Sequence, residues 1–336
     1  MSGLVSVVMA VYNNEDYIQD SVISICNQTY HDIEIIIIDD ASTDDSLNRI
    51  RQIKDNRIRL IENEVNIGLA ESLNLGIRIA KGEFIARMDG DDIALPNRIE
   101  NQISFLKVNP SIDVLGAAMQ SIGFSNYKHV FPQLHEQCKA QLLFNVCVGH
   151  PTVVIRKSVF SNPSNFYRGE LRQYSEEYEL WCRLVNSVKF ANLQEVLLKY
   201  RTFPESIKNE ASEKRKRNSF QIRNNFLKSE LHVVDENEFL LHDHICKLSK
   251  ARNIHELELW IEWLRKIKKL NIVHGSFQPS ALACELSKRC FELRYWNSSL
   301  GWRNLIRWFM NNDLSDFKPG VVLTFKFIIR TVLRLA

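Results

Sequence analysis

Residues 80–92 read Ala80-Lys81-Gly82-Glu83-Phe84-Ile85-Ala86-Arg87-Met88-Asp89-Gly90-Asp91-Asp92, an apolar run that stops on three carboxylates within four residues. A short apolar run between polar flanks is what a strand buried on both faces requires. Carboxylates packed this closely repel one another unless a cation neutralises them. An all-oxygen set of this kind suits Mg²⁺ or Mn²⁺ bridging a substrate diphosphate. The competing reading is a polar turn in which Gly90 sets the bend and the aspartates face water.

Towards the N-terminus, Val5-Ser6-Val7-Val8-Met9-Ala10-Val11 and Ile33-Glu34-Ile35-Ile36-Ile37-Ile38 are strand-like runs of the same type. Between them, Asn14-Glu15-Asp16 supplies cap-type residues, and Tyr17, Ile18, Val22 and Ile25 recur at helical spacing, which predicts a crossover helix. Ser42-Thr43-Asp44-Asp45-Ser46 opens a second helix running through Ile53. Ile58-Arg59-Leu60-Ile61 is a strand, and Leu69–Ala80 is a helix closed by Gly82. This alternation predicts a Rossmann-like α/β sheet whose ligands sit at the carboxyl ends of the strands. Tyr12 and the pair Asp39-Asp40 should meet there. They could hold a base, with the ring stacking and a carboxylate accepting from uracil N3–H, or an aspartate could simply cap the helix near Ser42.

Further along, Tyr174-Ser175-Glu176-Glu177-Tyr178-Glu179-Leu180-Trp181 starts acidic and continues at helical spacing. Acids at a helix N-terminus are favourable in themselves, but a glutamate within reach of an acceptor hydroxyl can act as general base. Gly149-His150-Pro151 precedes the strand-like Thr152-Val153-Val154-Ile155. Taken alone, His150 reads as a core residue before it reads as a ligand or acceptor contact.

The 336 residues are 45% hydrophobic and 25% charged, values that argue against disorder, a fibrous repeat or a polytopic membrane protein. The length suits one large domain and a smaller one. A net charge of +3 is too small to imply nucleic acid. Seven scattered cysteines without a CxxC pair suggest reduced thiols in a cytosolic protein. The apolar start lacks a basic leader region and reads as a strand, and no run reaches the ~18 apolar residues of a spanning helix. Without a secretory route, the sequons at Asn27 and Asn297 carry no weight. From Asn209 the texture changes to the charge run Glu213-Lys214-Arg215-Lys216-Arg217 and then to helical patterns such as Leu257, Trp260, Ile261, Leu264 and Ile267. The expected division is 1–210 and 211–336.

In order and spacing, several of these segments together resemble family 2 glycosyltransferases, whose nucleotide-sugar-binding fold is called GT-A. They are Val7–Asn13, Ile38-Asp39-Asp40-Ala41-Ser42-Thr43-Asp44, Asn66-Ile67-Gly68-Leu69, Ala80–Asp92 and Pro96-Asn97-Arg98. The resemblance runs from Val5 to about Arg201. It implies that Ala10, Tyr12, Asp40 and Asp39 surround the base with Gly68 nearby. Asp89 and Asp91 would form the DxD pair beside ribose and a Mn²⁺ or Mg²⁺ ion, and Asp92 and His150 would support the site or touch acceptor. The general base falls in a Glu-Asp pair in such enzymes. Here Glu176-Glu177 occupies that place, so Glu177 is the expected base and Glu176 its alternative. After Tyr200-Arg201, where many relatives carry a histidine, this chain has Phe203, which cannot ligate metal. The implied reaction is an inverting, hexosyltransferase-like transfer from a nucleotide-sugar, with UDP suiting Tyr12 and Asp40, to a saccharide acceptor that is lipid-linked in many bacterial relatives.

The end of the chain, Phe317–Leu335, is apolar with Lys326, Arg330 and Arg334 four residues apart. Trp302, Arg303, Ile306, Arg307, Trp308 and Phe309 mix aromatics with arginines. Such a helix can lie in a lipid headgroup layer, placing the protein peripherally on the inner face of the cytoplasmic membrane, or it can pack on its domain with the arginines facing water. Two rival functions are a sugar nucleotidyltransferase and a non-catalytic nucleotide-sugar-binding protein. Against the first, Asn13-Asn14-Glu15-Asp16 is no Gly-rich triphosphate loop. Against the second stands the intact Asp89–Asp92 cluster, a costly feature to keep unused.

Overall fold

The computed structural model describes residues 3–169, 175–204, 209–310 and 313–333, so Tyr174 and Arg334 lie outside the described residues. The chain forms two compact units, one from residues 1–138 and 146–219, the other from 139–145 and 220–336.

The first unit begins with β1 (Val5–Val11), α1 (Ile18–Cys26), β2 (Ile33–Asp39), α2 (Ser46–Gln52), β3 (Ile58–Glu62), α3 (Leu69–Ile79) and β4 (Phe84–Asp89). The strands lie in the order β3-β2-β1-β4, all parallel, as the alternation predicts. Ile35 to Ile38 are fully buried because both faces of the sheet are covered. Each such side chain contributes about 1.5–3 kcal/mol when removed from water. Beyond β4 the sheet becomes mixed. It continues through β5 (Ile93–Ala94), α4 (Arg98–Val108), β6 (Val114–Gly123), β7 (Lys128–His129), α5 (His135–Gln141), β8 (Val154–Arg156), α6 (Glu176–Leu184) and β9 (Phe190–Thr202). The full order is β3-β2-β1-β4-β8-β6-β9-β5, with β8 antiparallel to β4 and β7 paired on β6.

Three local expectations need correction. The second helix starts at Ser46 rather than Ser42, because Asp39 Oδ2 accepts from the Ser42 N–H and Asp44 accepts from the N–H groups of Ser46 and Glu15, which folds residues 40–45 into a turn. Gly82 does not close α3. A Cβ there would lie 2.6 Å from the Ser6 nitrogen, so the glycine lets the β4 entry pass against β1. Thr152 belongs to a 3₁₀ turn over His150–Thr152, and the strand that follows starts at Val154.

The second unit is helical. After α7 (Asn209–Leu231) come α8 (Glu236–Cys246), α9 (Ile254–His274), α10 (Pro279–Trp296), α11 (Trp302–Phe309) and α12 (Val321–Val332). Asn253 caps α9 by accepting from the Glu256 N–H, and Gly275 (φ +68°) ends it. Leu257, Trp260, Ile261, Leu264 and Ile267 are all buried, as their spacing predicts. Leu142, Leu143 and Phe144 are buried in this unit too. The Leu143 carbonyl is bonded to His242, and the Arg289 guanidinium lies over the Phe144 ring. Lys139 pairs with Glu230 and donates to the Ser276 carbonyl. Among the described residues, no helix is long and apolar enough to cross a membrane.

Candidate active site

Strand register brings the first residues together. Val11 lies beside Asp39 across β1 and β2, and Ala10 lies beside Asp89 across β1 and β4. Tyr12 follows directly and is 46% exposed, so its ring is open to a ligand. Asp40 is buried and already accepts from three donors: the N–H groups of Ile67 (2.9 Å) and Gly68 (2.8 Å) and the Asn63 side chain (2.8 Å). Gly68, at φ +91°, is the N-cap of α3, so Asp40 anchors that helix start. Asp39 is different. Its Oδ2 accepts from the Ser42 N–H, while its Oδ1 is buried with no partner. Asn13 (φ +52°) and Ala41 (φ +60°) flank these residues in the left-handed region, a strain that persists only where surroundings enforce it.

At the end of β4, the buried Arg87 grips Asp89 through both guanidinium NH₂ groups, and its Nε has no partner. Burial opposes the charge on Arg87, but Asp89 more than restores it, so the side chain stays a cation. The Arg201 N–H donates to Asp92 Oδ1 (2.7 Å) and its Nε donates to the Asp91 carbonyl (2.8 Å), which ties the end of β9 to the turn. The Arg201 guanidinium lies 4.3 Å over the Tyr17 ring, and Phe203 packs on the same ring. Asp89, Asp91 and Asp92 each place a carboxylate oxygen within 4.8 Å of the others. Burial first, then the charge of Asp89, pushes Asp91 up to about 6; the same causes, with the charge of Asp91 added, push Asp92 up to about 8. Asp92 Oδ2 is buried without a partner. Repulsion of this kind, in an all-oxygen set, fits a hard divalent cation.

The second cluster joins His150, Glu176 and Glu177, again with ligand atoms within 4.8 Å of one another. Ser175, at φ +77°, turns the chain immediately before α6 and so sets the direction of both glutamates. Glu176 is buried and its Oε2 has no partner. Burial and the charge of Glu176 push Glu177 up to about 7. His150 bonds to the Tyr167 hydroxyl (2.8 Å), and burial together with Arg87 drives its pKa well below the usual value, so it is neutral. His150 is thus the buried, bonded residue that its sequence setting alone suggests, and it also lies beside the two glutamates. Arg87 is felt by Asp91, Asp92, His150, Tyr167, Glu176 and Glu177, so one buried cation lies within electrostatic reach of both acidic clusters.

Residues 6–162 match the family model for glycosyl transferase family 2. A glycosyltransferase of Haemophilus influenzae, itself uncharacterised, is 34% identical over 269 residues, which cover 74% of this chain and 83% of the relative. This chain is a family 2 glycosyltransferase. The Escherichia coli enzyme WfgD, named a UDP-Glc:α-D-GlcNAc-diphosphoundecaprenol β-1,3-glucosyltransferase, is 32% identical over 206 residues, 61% of this chain and 79% of WfgD. The crystal structure of S. aureus TarS 1–349 in complex with UDP-GlcNAc superposes with a TM-score of 0.58 at 16% identity, covering 97% of this chain and 91% of that one. At that identity the likeness is one of fold, and the fold of this glycosyltransferase is GT-A with a helical C-terminal region.

Four residues in or behind this family 2 enzyme's candidate site were given no role from the sequence: Arg87 and Arg98, which stand in segments that carry the resemblance, and Tyr167 and Asn63. Arg87 and Arg98 carried a signal. Each is a charged residue in an otherwise buried pattern, and each is internally bonded, with Arg98 donating to the Arg87 carbonyl and to Gln102. Tyr167 and Asn63 lie in loops, where no periodicity marks them.

Proposed function

We propose that this glycosyltransferase moves a sugar, with inversion, from a UDP-sugar to a saccharide acceptor carried on a lipid, in assembly of a cell-surface polysaccharide. The observation that carries this reading is the meeting of the Asp89–Asp92 turn and the Glu176–Glu177 pair around the buried Arg87. Tyr12 stacks on the base, and the unpartnered Oδ1 of Asp39 accepts from uracil N3–H, while Asp40 positions the start of α3. Asp91 with Asp89 would hold Mn²⁺ or Mg²⁺, and the ion would offset the diphosphate charge as it leaves. Asp92, bonded to Arg201, supports that turn. Glu177 takes the proton from the acceptor hydroxyl as its oxygen bonds to the anomeric carbon and the bond to the diphosphate breaks, which is a single displacement and hence inversion. Glu176, whose own pKa burial raises, lies beside the base, and neutral His150, held by Tyr167, lines the acceptor side.

The lipid-linked acceptor draws support from the name of WfgD and from the family resemblance. Peripheral association with the inner face of the cytoplasmic membrane belongs to the same reading. We also propose that catalysis resides in residues 1–210 and that residues 211–336 form a helical domain that takes in 139–145. The test is UDP release from a panel of nucleotide-sugars with Mn²⁺, Mg²⁺ or chelator, comparing wild type with Asp91→Ala, and NMR of the product anomer. Metal-dependent release lost in Asp91→Ala, with an inverted product, supports the proposal. A retained anomer, or release indifferent to chelator, overturns it.

A further inference from the structure

Helix α12 is held to its unit by one side only. Phe327 and Thr331 are buried, with Phe327 packed among Phe291, Tyr295 and Trp308. The opposite side is apolar and bare. Val321 (87% exposed), Val322, Phe325 (61%), Ile329 and Val332 follow one another around about a third of the helix, and Lys326 stands at the edge of the stripe. Arg330, expected in a cationic row, instead turns its guanidinium onto the rings of Tyr295 and Trp296. Helix α11 repeats the theme, with Trp302, Ile306 and Phe309 exposed on the same stretch as the exposed Arg303 and Arg307.

Charge decides what these faces fit. No acidic residue occurs from Phe317 to Leu333. The two upstream acids are neutralised within the unit, Asp313 by Arg265 and Asp316 near Lys268. Beside α11 lies a recess of about 530 Å³ lined by Arg265, Arg294, Arg303 and Arg307; Arg294 and Arg307 share Glu258 and Arg265 pairs with Asp313, so four cations meet two carboxylates and the recess keeps an excess of positive charge. An apolar helix face with cations around it is the pattern of a segment lying in the headgroup layer of an anionic bilayer. A helix of 12 residues, at ~1.5 Å per residue, is far too short to span.

We propose that the bare face of α12, aided by the Trp302–Phe309 face of α11, docks on an anionic phospholipid surface, with the arginine-lined recess receiving a lipid phosphate. This deepens the membrane part of the reading above, and its test needs no turnover. Full-length protein is floated with vesicles of phosphatidylcholine alone and of phosphatidylcholine doped with phosphatidylglycerol, at low and high salt. The variants are Phe325→Glu/Ile329→Glu and, separately, Arg303→Glu/Lys326→Glu. All four positions are exposed, and an unchanged thermal midpoint and unchanged UDP affinity confirm folding. The expected result is salt-sensitive binding to the doped vesicles, at least about tenfold weaker in each variant. Absence of wild-type binding to either vesicle overturns both this proposal and the membrane reading. Wild-type binding that both variants retain overturns the docking face alone. A wild-type dimer in solution that Phe325→Glu/Ile329→Glu breaks, without lipid binding, assigns the face to a second copy and overturns the proposal.

Discussion

A carboxylate that titrates near neutrality makes a base whose availability follows the pH of its surroundings. With Glu177 pushed up to about 7, kcat/KM should rise with pH through a midpoint near 7 and then level off. Profiles of initial rate against pH would show this, and a flat profile between pH 5 and 9 would argue against Glu177 as the base. Glu177→Gln should lower transfer by about 100-fold or more while leaving UDP affinity intact. It should also stabilise the fold. The folded carboxyl titrates near 7 and the unfolded one near 4.5, so the group costs no stability below pH 4.5, costs increasingly more as pH rises from 4.5 to 7, and costs its full amount above 7. Glutamine removes that penalty, a gain of up to about 3 kcal/mol at pH 8 that fades towards pH 4 in denaturant titrations. Arg87 is the other decisive residue. Arg87→Met should lower metal-dependent UDP release by about 100-fold and shift the pH midpoint of what remains upwards, because the cation that favours ionised Glu177 is gone. An unmoved midpoint in the residual activity would deny Arg87 this role.

Among the elements, the parallel half of the sheet was legible because buried strands and covering helices have different periods, and β1 to β4 follow them to within a residue or so. The start of α2 was not, because Asp39 and Asp44 turn their side chains to backbone N–H groups and delay the helix. The long pairing of β6 with β9 also escaped notice, since strands 70 and more residues apart leave no local trace of their register. The DxD turn and the glutamate pair could be read from charge density at an element's end; their meeting around Arg87 could not. Gly68 offers a test at this scale. Its φ of +91° and its N–H bond to Asp40 make Gly68→Ala strained by about 1–3 kcal/mol at the mouth of the proposed nucleotide site. The expected outcome is a raised KM for the donor with a smaller change in kcat, measured by steady-state UDP release. A loss confined to kcat would mean that the α3 entry does not contact donor.

For the whole molecule, the second unit borrows residues 139–145 from the middle of the first unit's sequence. A chain cut at residue 210 therefore carries Leu142, Leu143 and Phe144 without the helices that bury them. Such a truncation should aggregate, and Leu143→Ser/Phe144→Ser should restore a monomer, as read by size-exclusion chromatography. A soluble, monomeric 1–210 fragment without those changes would contradict this account. The same excursion bears on how the protein is made. On the ribosome, residues 139–145 emerge long before residue 220, and at ~5–20 residues per second several seconds pass before α8 to α10 exist to receive them. During that interval the nascent chain presents a sticky apolar triplet on an otherwise nearly finished first unit. Chaperone engagement at this point, and sensitivity of yield to translation speed downstream of codon 145, are built into the topology.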